Sequence, residues 1–133
     1  ALPAQKNRFG GKVYILIDDM TNSCATAFSA MMRSHSGAVF VGEETAGAQC
    51  GSNAMVMTVQ LPYTGVMVNL STAMYHYNVK EPALAKGVVP HHRLEARLQD
   101  LRAGRDAGME AVFDLIRDAG KEGKAETAAL PLG

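Results

Sequence analysis

Ser23 stands in the run Thr21-Asn22-Ser23-Cys24-Ala25, where an apolar, β-branched segment gives way to a helical pattern. A hydroxyl held at such a junction lies beside the first free helical N–H groups, whose partial positive charge favours a developing oxyanion. The chemistry this serves is attack on a carbonyl, provided an imidazole or amine comes within hydrogen-bond reach of the hydroxyl. Serine and asparagine are also among the commonest helix caps, so the local pattern alone favours Ser23 or Asn22 as a cap. The Gly-x-Ser-x-Gly elbow is absent.

Gly42-Glu43-Glu44-Thr45-Ala46-Gly47 has the two glycines of a phosphate loop, but Ala48 and Gln49 stand where such a loop carries lysine and a hydroxyl residue. Nucleotide binding is therefore excluded. His35, His76, His91 and His92 lack the His-x-x-x-His spacing that sets two ligands on one helix face, so neither a metal nor a cofactor is expected. Glu43 and Glu44 read as solvated loop carboxylates. Cys24 and Cys50 have no C-x-x-C spacing; one bridge stays open, and two buried thiols are the simpler reading.

The elements that must position these residues follow from periodicity. Residues 12–18 form a short, nearly continuous apolar run, the pattern of a strand covered on both faces. Cys24, Ala27, Phe28, Met31 and His35 recur at helical spacing, and Gly37 supplies a stop. With the apolar residues 38–41 this predicts a β-α-β unit whose strands are parallel.

Residues 45–79 contain no Asp, Glu, Lys or Arg, and Met55, Met57, Val59 and Leu61 alternate with Val56, Thr58 and Gln60. Two strands joined at residues 63–65 are predicted. Their lack of charge reads first as core, with an apolar groove or a subunit interface as the other meanings. Beyond Gly87-Val88-Val89-Pro90 the chain turns charged and helical. Asp106 is a suitable N-cap, Met109, Val112, Phe113 and Ile116 make one stripe, and Gly120 is the expected end. Residues 1–120 form the predicted domain and residues 121–133 a flexible tail.

The 133 residues carry 13 Lys plus Arg against 13 Asp plus Glu, so no basic face for nucleic acid or anionic membranes is implied. No apolar run reaches the length of a membrane span.

Taken in order, Val-Tyr-Ile-Leu-Ile-Asp18, Thr-Asn-Ser23-Cys-Ala-Thr-Ala-Phe28, Gly37-Ala-Val-Phe-Val-Gly-Glu-Glu-Thr45-Ala-Gly47 and Gly87-Val-Val-Pro90 resemble the C-terminal half of the tail-specific, or C-terminal processing, serine peptidases. Residues 101–106 and the helix after them resemble the segment closing many bacterial members, so the resemblance covers residues 9–119. It implies an α/β, crotonase-like (ClpP-like) fold of β-β-α units, here a partial domain with a C-terminal helix. It implies Ser23 as nucleophile, the Cys24 N–H in the oxyanion hole, and Thr45 and Gly47 in a substrate-binding loop.

Where one branch carries a lysine base after the glycine loop, this chain has Ala48 and Gln49. It is in this respect similar to the tricorn-like branch, which implies a histidine base from outside this chain, an assisting Glu for which Glu81 is the nearest candidate, and no activity of the chain alone. His91 stands where the family has Asp after Gly-Val-x-Pro. The resemblance further implies a peptide or protein substrate bound along a strand edge, and an extracytoplasmic bacterial location. A non-catalytic peptide-binding module or a homo-oligomerising domain of the same fold is the alternative.

Overall fold

The computed structural model describes residues 6–7 and 9–128. Its order is β1 (Tyr14–Ile17), α1 (Cys24–His35), β2 (Val39–Gly42), β3 (Gly51–Gln60), β4 (Met67–His76), β5 (His92–Arg93), α2 (Leu98–Arg102) and α3 (Ala107–Ala128). The architecture is mixed α/β with two separate sheets.

The predicted β-α-β unit is present. β1 and β2 pair in parallel, Tyr14 opposite Val39 and Ile17 opposite Gly42, and β5 joins the far side of β2, also in parallel. β2 is therefore central, and its Phe40 and Val41 are fully buried. Phe40 packs with Ile17, Ala30, Ala38 and Val88, so β1, α1 and the Gly87-Val88 turn meet on one core. α3 touches β1 and β2, with the Leu16 side chain reaching Gly108.

Four expectations are corrected. On the face of β1 that carries Leu16 the start of α3 covers the strand only in part and a cavity lies open beside it, so Leu16 remains 42% exposed and the strand is not covered on both faces. On α1 the buried residues are Thr26, Ser29 and Ala30, while Cys24, Phe28 and Met31 face solvent. The buried row is the one turned to the core, where Ala30 packs with Ile17, Phe40 and Val88. α3 passes Gly120 and runs to Ala128, because one glycine costs only about 1 kcal/mol relative to alanine and strong helix formers follow it. This places residues 121–128 of the expected tail in the helix; residues 129–133 lie outside those described.

The fourth correction concerns residues 45–79. The two strands and their turn are present, β3 pairing with β4 antiparallel from Gly51 opposite His76 to Gln60 opposite Met67. They are not core. Beyond Ala54 every residue of β3 is exposed, and so are nine of the ten in β4. The hairpin pairs chiefly with itself, so its uncharged side chains have no second layer to bury them.

Candidate active site

The β1–α1 connection is tied before it reaches Ser23. The Thr21 N–H donates to the Asp18 carbonyl at 3.0 Å, and the Thr21 hydroxyl donates to Asp18 Oδ1 at 2.9 Å. The Thr21 carbonyl then accepts from the buried Thr26 hydroxyl at 3.0 Å and from the Gly47 N–H at 3.3 Å. Turn, helix and glycine loop thus share one acceptor.

Ser23 follows with φ 53° and ψ −123°, a conformation that L residues other than glycine enter only at a cost of about 1–3 kcal/mol. It sits at the N-cap position, yet its side chain caps nothing. The cap role suggested by local pattern is therefore not filled. Asn22 does something different from capping: its Oδ1 accepts the Ser23 N–H at 2.7 Å, holding the turn. The Ser23 hydroxyl has no hydrogen-bond partner among the described residues. Cys24 opens α1, so its N–H has no acceptor within the helix.

Because the strain belongs to the backbone, Ser23→Gly should raise stability by about 1 kcal/mol, whereas Ser23→Ala should not. Urea midpoints of the two variants compare them directly. Equal midpoints would mean that the turn stores no strain.

Ser23 opens into a cavity of about 300 Å3 that it shares with Asn22, Thr26, Gly47, Asn53, Met74 and Tyr77 among others. Gly47 is required by space: a Cβ there would collide with Thr26 Oγ1 and come within 2.9 Å of Asn22 Oδ1. Thr45 is near in sequence but serves the scaffold. Its hydroxyl donates to the Gly47 carbonyl at 2.9 Å and accepts the buried Val88 N–H at 2.8 Å. Glu44 accepts the Gly87 N–H at 2.8 Å, and Glu43 accepts the Ala96 N–H at 3.0 Å. The two glutamates thus staple the loops, Glu44 remaining exposed as expected and Glu43 half-buried.

Ser23, Cys24 and Gly47 are therefore brought together. Glu81 is not among them: it lines a separate cavity with Arg33, Ser34 and Gln49, and its carbonyl accepts from the Gln49 side chain at 3.4 Å. His76 closes the foot of the hairpin opposite Gly51 and does not line the Ser23 cavity. Cys24 is an exposed free thiol and Cys50 a buried one, so the two are not bridged, and only Cys50 has the expected burial. Sequence reasoning missed Tyr77 and Asn53 as cavity residues, whereas Met74 belongs to the four methionines, with Met55, Met57 and Met67, that could line a groove. Only the closing of the hairpin's foot beside the Ser23 cavity, where the Tyr77 N–H donates to the Cys50 carbonyl at 3.0 Å, could have marked Tyr77 and Asn53.

His91 shows what replaces the family's Asp. Its ring Nδ1 accepts the Phe40 N–H at 2.9 Å, and the His91 backbone N–H donates to the Phe40 carbonyl at 2.9 Å. Burial first, then the charges of Arg33 and His92, hold this imidazole below its ordinary value of 6.5. The unfolded chain thus binds the proton more readily, so this contribution to stability is present above pH 6.5 and is lost as pH falls through the folded value. Melting temperatures across pH 5 to 7.5 should drop on acidification less steeply in His91→Gln than in the parent; parallel profiles would rule the effect out.

Among the described residues no helix is long and apolar enough to cross a membrane. The class is that of the peptidases: the model of peptidase family S41 matches residues 1–94. The chain belongs to that family, which makes it a hydrolase with a peptide or protein substrate. The matched residues reach from β1 through β5 and take in the Ser23 turn and the glycine loop. A comparison with curated proteins found no match.

Proposed function

We propose that this chain is the catalytic region of a serine endopeptidase of the tail-specific kind, with a crotonase-like core and Ser23 as nucleophile. One observation carries the reading: a non-glycine residue with positive φ at a strand-to-helix junction, its hydroxyl unpartnered and open to a cavity. Strain at such a position is kept when it aims a reacting atom.

The hydroxyl attacks a peptide carbonyl while a base removes its proton. The oxygen of that carbonyl, now negative, accepts from the Cys24 N–H at the positive end of α1. The C–N bond then breaks, the base returning its proton to the leaving amine, and water cleaves the ester at Ser23 by the reverse sequence. The cavity residues include no His, Lys, Asp or Glu, and Ala48 and Gln49 occupy the lysine position, which supports a base delivered from outside this chain, as in the tricorn-like branch. Glu81 would assist only through a rearrangement that moves it toward Ser23. The extracytoplasmic location rests on the resemblance alone.

A fluorophosphonate probe applied to the protein at its natural length should modify Ser23, as read by peptide mass mapping, and Ser23→Ala should abolish it; the 133-residue chain alone should react at least about 100-fold more slowly. An unlabelled protein that is folded would favour a peptide-binding module, a reading that the absence of a base in the cavity also supports.

A further inference from the structure

His91 holds a place on the sheet that main chain would ordinarily fill. The Val39 N–H turns to β1, where it meets the Val13 carbonyl at 2.9 Å, so the next N–H along β2, that of Phe40, turns to the β5 side. There its acceptor is not a carbonyl but His91 Nδ1, at 2.9 Å, while the His91 backbone N–H returns a bond to the Phe40 carbonyl. Because an N–H can only donate, Nδ1 carries no proton and the ring hydrogen sits on Nε2. Phe40 is 0% exposed, so its N–H is closed off from water, whereas His91 is exposed and a proton reaches its ring without unfolding.

The bond is therefore conditional. A second ring proton would set two donors face to face, and the imidazole would leave the Phe40 N–H unpaired. Burial, Arg33 of α1 and His92 of β5 all oppose that proton, and neither β2 (Val39–Gly42) nor residues 87–90 contain a titratable side chain to offset them.

The segment that His91 anchors also braces the glycine loop. Ahead of His91, the Lys86 carbonyl accepts from the Gln49 N–H at 2.9 Å and the Val88 carbonyl from the Thr45 N–H at 3.2 Å. The Gly87 and Val88 N–H groups go to the Glu44 and Thr45 side chains. Beyond it, the Leu94 N–H donates to the Gly42 carbonyl at 2.8 Å and the Ala96 N–H to Glu43. Thr45 in turn holds the Gly47 carbonyl, and the Gly47 N–H holds the Thr21 carbonyl at the start of the Ser23 turn.

We infer that His91 is a positioning residue for the Ser23 site: while its imidazole is neutral it pins residues 86–96 along β2 and the glycine loop, and acid, by protonating it, releases that segment and loosens the Ser23 turn. This rests on the catalytic reading for the role of Ser23, whereas the latch itself needs only the fold. The latch is closed at neutral pH and opens as pH falls through the ring's folded value, which lies below 6.5.

The test compares the protein at its natural length with His91→Asn and His91→Leu between pH 7.5 and pH 4.5. Asparagine sets Oδ1 where Nδ1 stood and accepts the Phe40 N–H at any pH, whereas leucine accepts nothing. Hydrogen exchange of residues 38–49 is read as the ratio of parent to His91→Asn at each pH, so that intrinsic exchange and the carboxylates common to both cancel. The ratio should be near one at pH 7.5 and reach at least about tenfold at pH 4.5. His91→Leu should show the raised exchange already at pH 7.5; if circular dichroism finds it unfolded, the asparagine comparison decides alone. Fluorophosphonate labelling of Ser23 should fall in the parent relative to His91→Asn over the same step. An exchange ratio near one at every pH overturns the proposal. A rise in exchange with an unchanged labelling ratio confines the latch to the fold and overturns the positioning role. A rise in a protein whose Ser23 never labels supports the latch and removes only the catalysis.

Discussion

Gly47→Ala should slow fluorophosphonate labelling of Ser23 about 100-fold, the loss expected when a reacting atom moves by about 1 Å. The added methyl meets Thr26 Oγ1, Thr26 Cβ at 2.9 Å and Asn22 Oδ1 at 2.9 Å. Thr26 cannot step aside easily: it is β-branched, 1% exposed and hydrogen-bonded to the Thr21 carbonyl. The displacement therefore passes into the Thr21-Asn22-Ser23 turn, whose geometry aims the hydroxyl. Overpacking should cost about 1–3 kcal/mol of stability besides. Thr26→Ala in the same chain removes the nearest oxygen and should recover part of the rate, a non-additivity that a double-mutant cycle reads directly. An unchanged labelling rate in Gly47→Ala would show that the loop does not hold the turn.

Phe40→Ala should destabilise the fold by about 3–5 kcal/mol, a large share of the 5–15 kcal/mol typical of a domain. Phe40 is 0% exposed on the central strand and touches residues from β1, α1 and the Gly87-Val88 turn, so no single element can collapse into the space it leaves. Its ring also lies against His91, centroids 5.9 Å apart. Urea denaturation gives the value. A loss under about 1 kcal/mol would mean that the core is organised elsewhere. Because β2 holds the glycine loop and the loop holds the Ser23 turn, labelling should fall in proportion to the unfolded fraction.

Much of the core unit was legible without coordinates. Short apolar runs around Ile15 and Phe40, with a helical stretch and Gly37 between them, determine a parallel β-α-β unit because each local preference agrees with the next. The hairpin was legible too, from alternation and the turn at residues 63–65. The order of Asp18, Ser23, the glycine loop and Gly87-Val88 carried the resemblance to a peptidase family, and the match of peptidase family S41 over residues 1–94 bears out that coarser part.

What the residues alone did not decide is which surfaces meet. The row Cys24, Phe28 and Met31 outscores Thr26, Ser29 and Ala30 in hydrophobicity, yet the small row is the one buried, because it is the row turned to the core, with Ala30 in the cluster of Phe40 and Val88 and Thr26 bonded to the Thr21 carbonyl. An uncharged run reads the same whether it lies inside a core or along a bare arm, because charge content reports what a surface can tolerate and not whether anything covers it. Ser23 is the sharpest case. Sequence favoured a cap, and only the tertiary structure, by drawing the Gly47 N–H and the Thr26 hydroxyl onto the Thr21 carbonyl, fixed a backbone in which the hydroxyl has no capping role and opens onto a cavity.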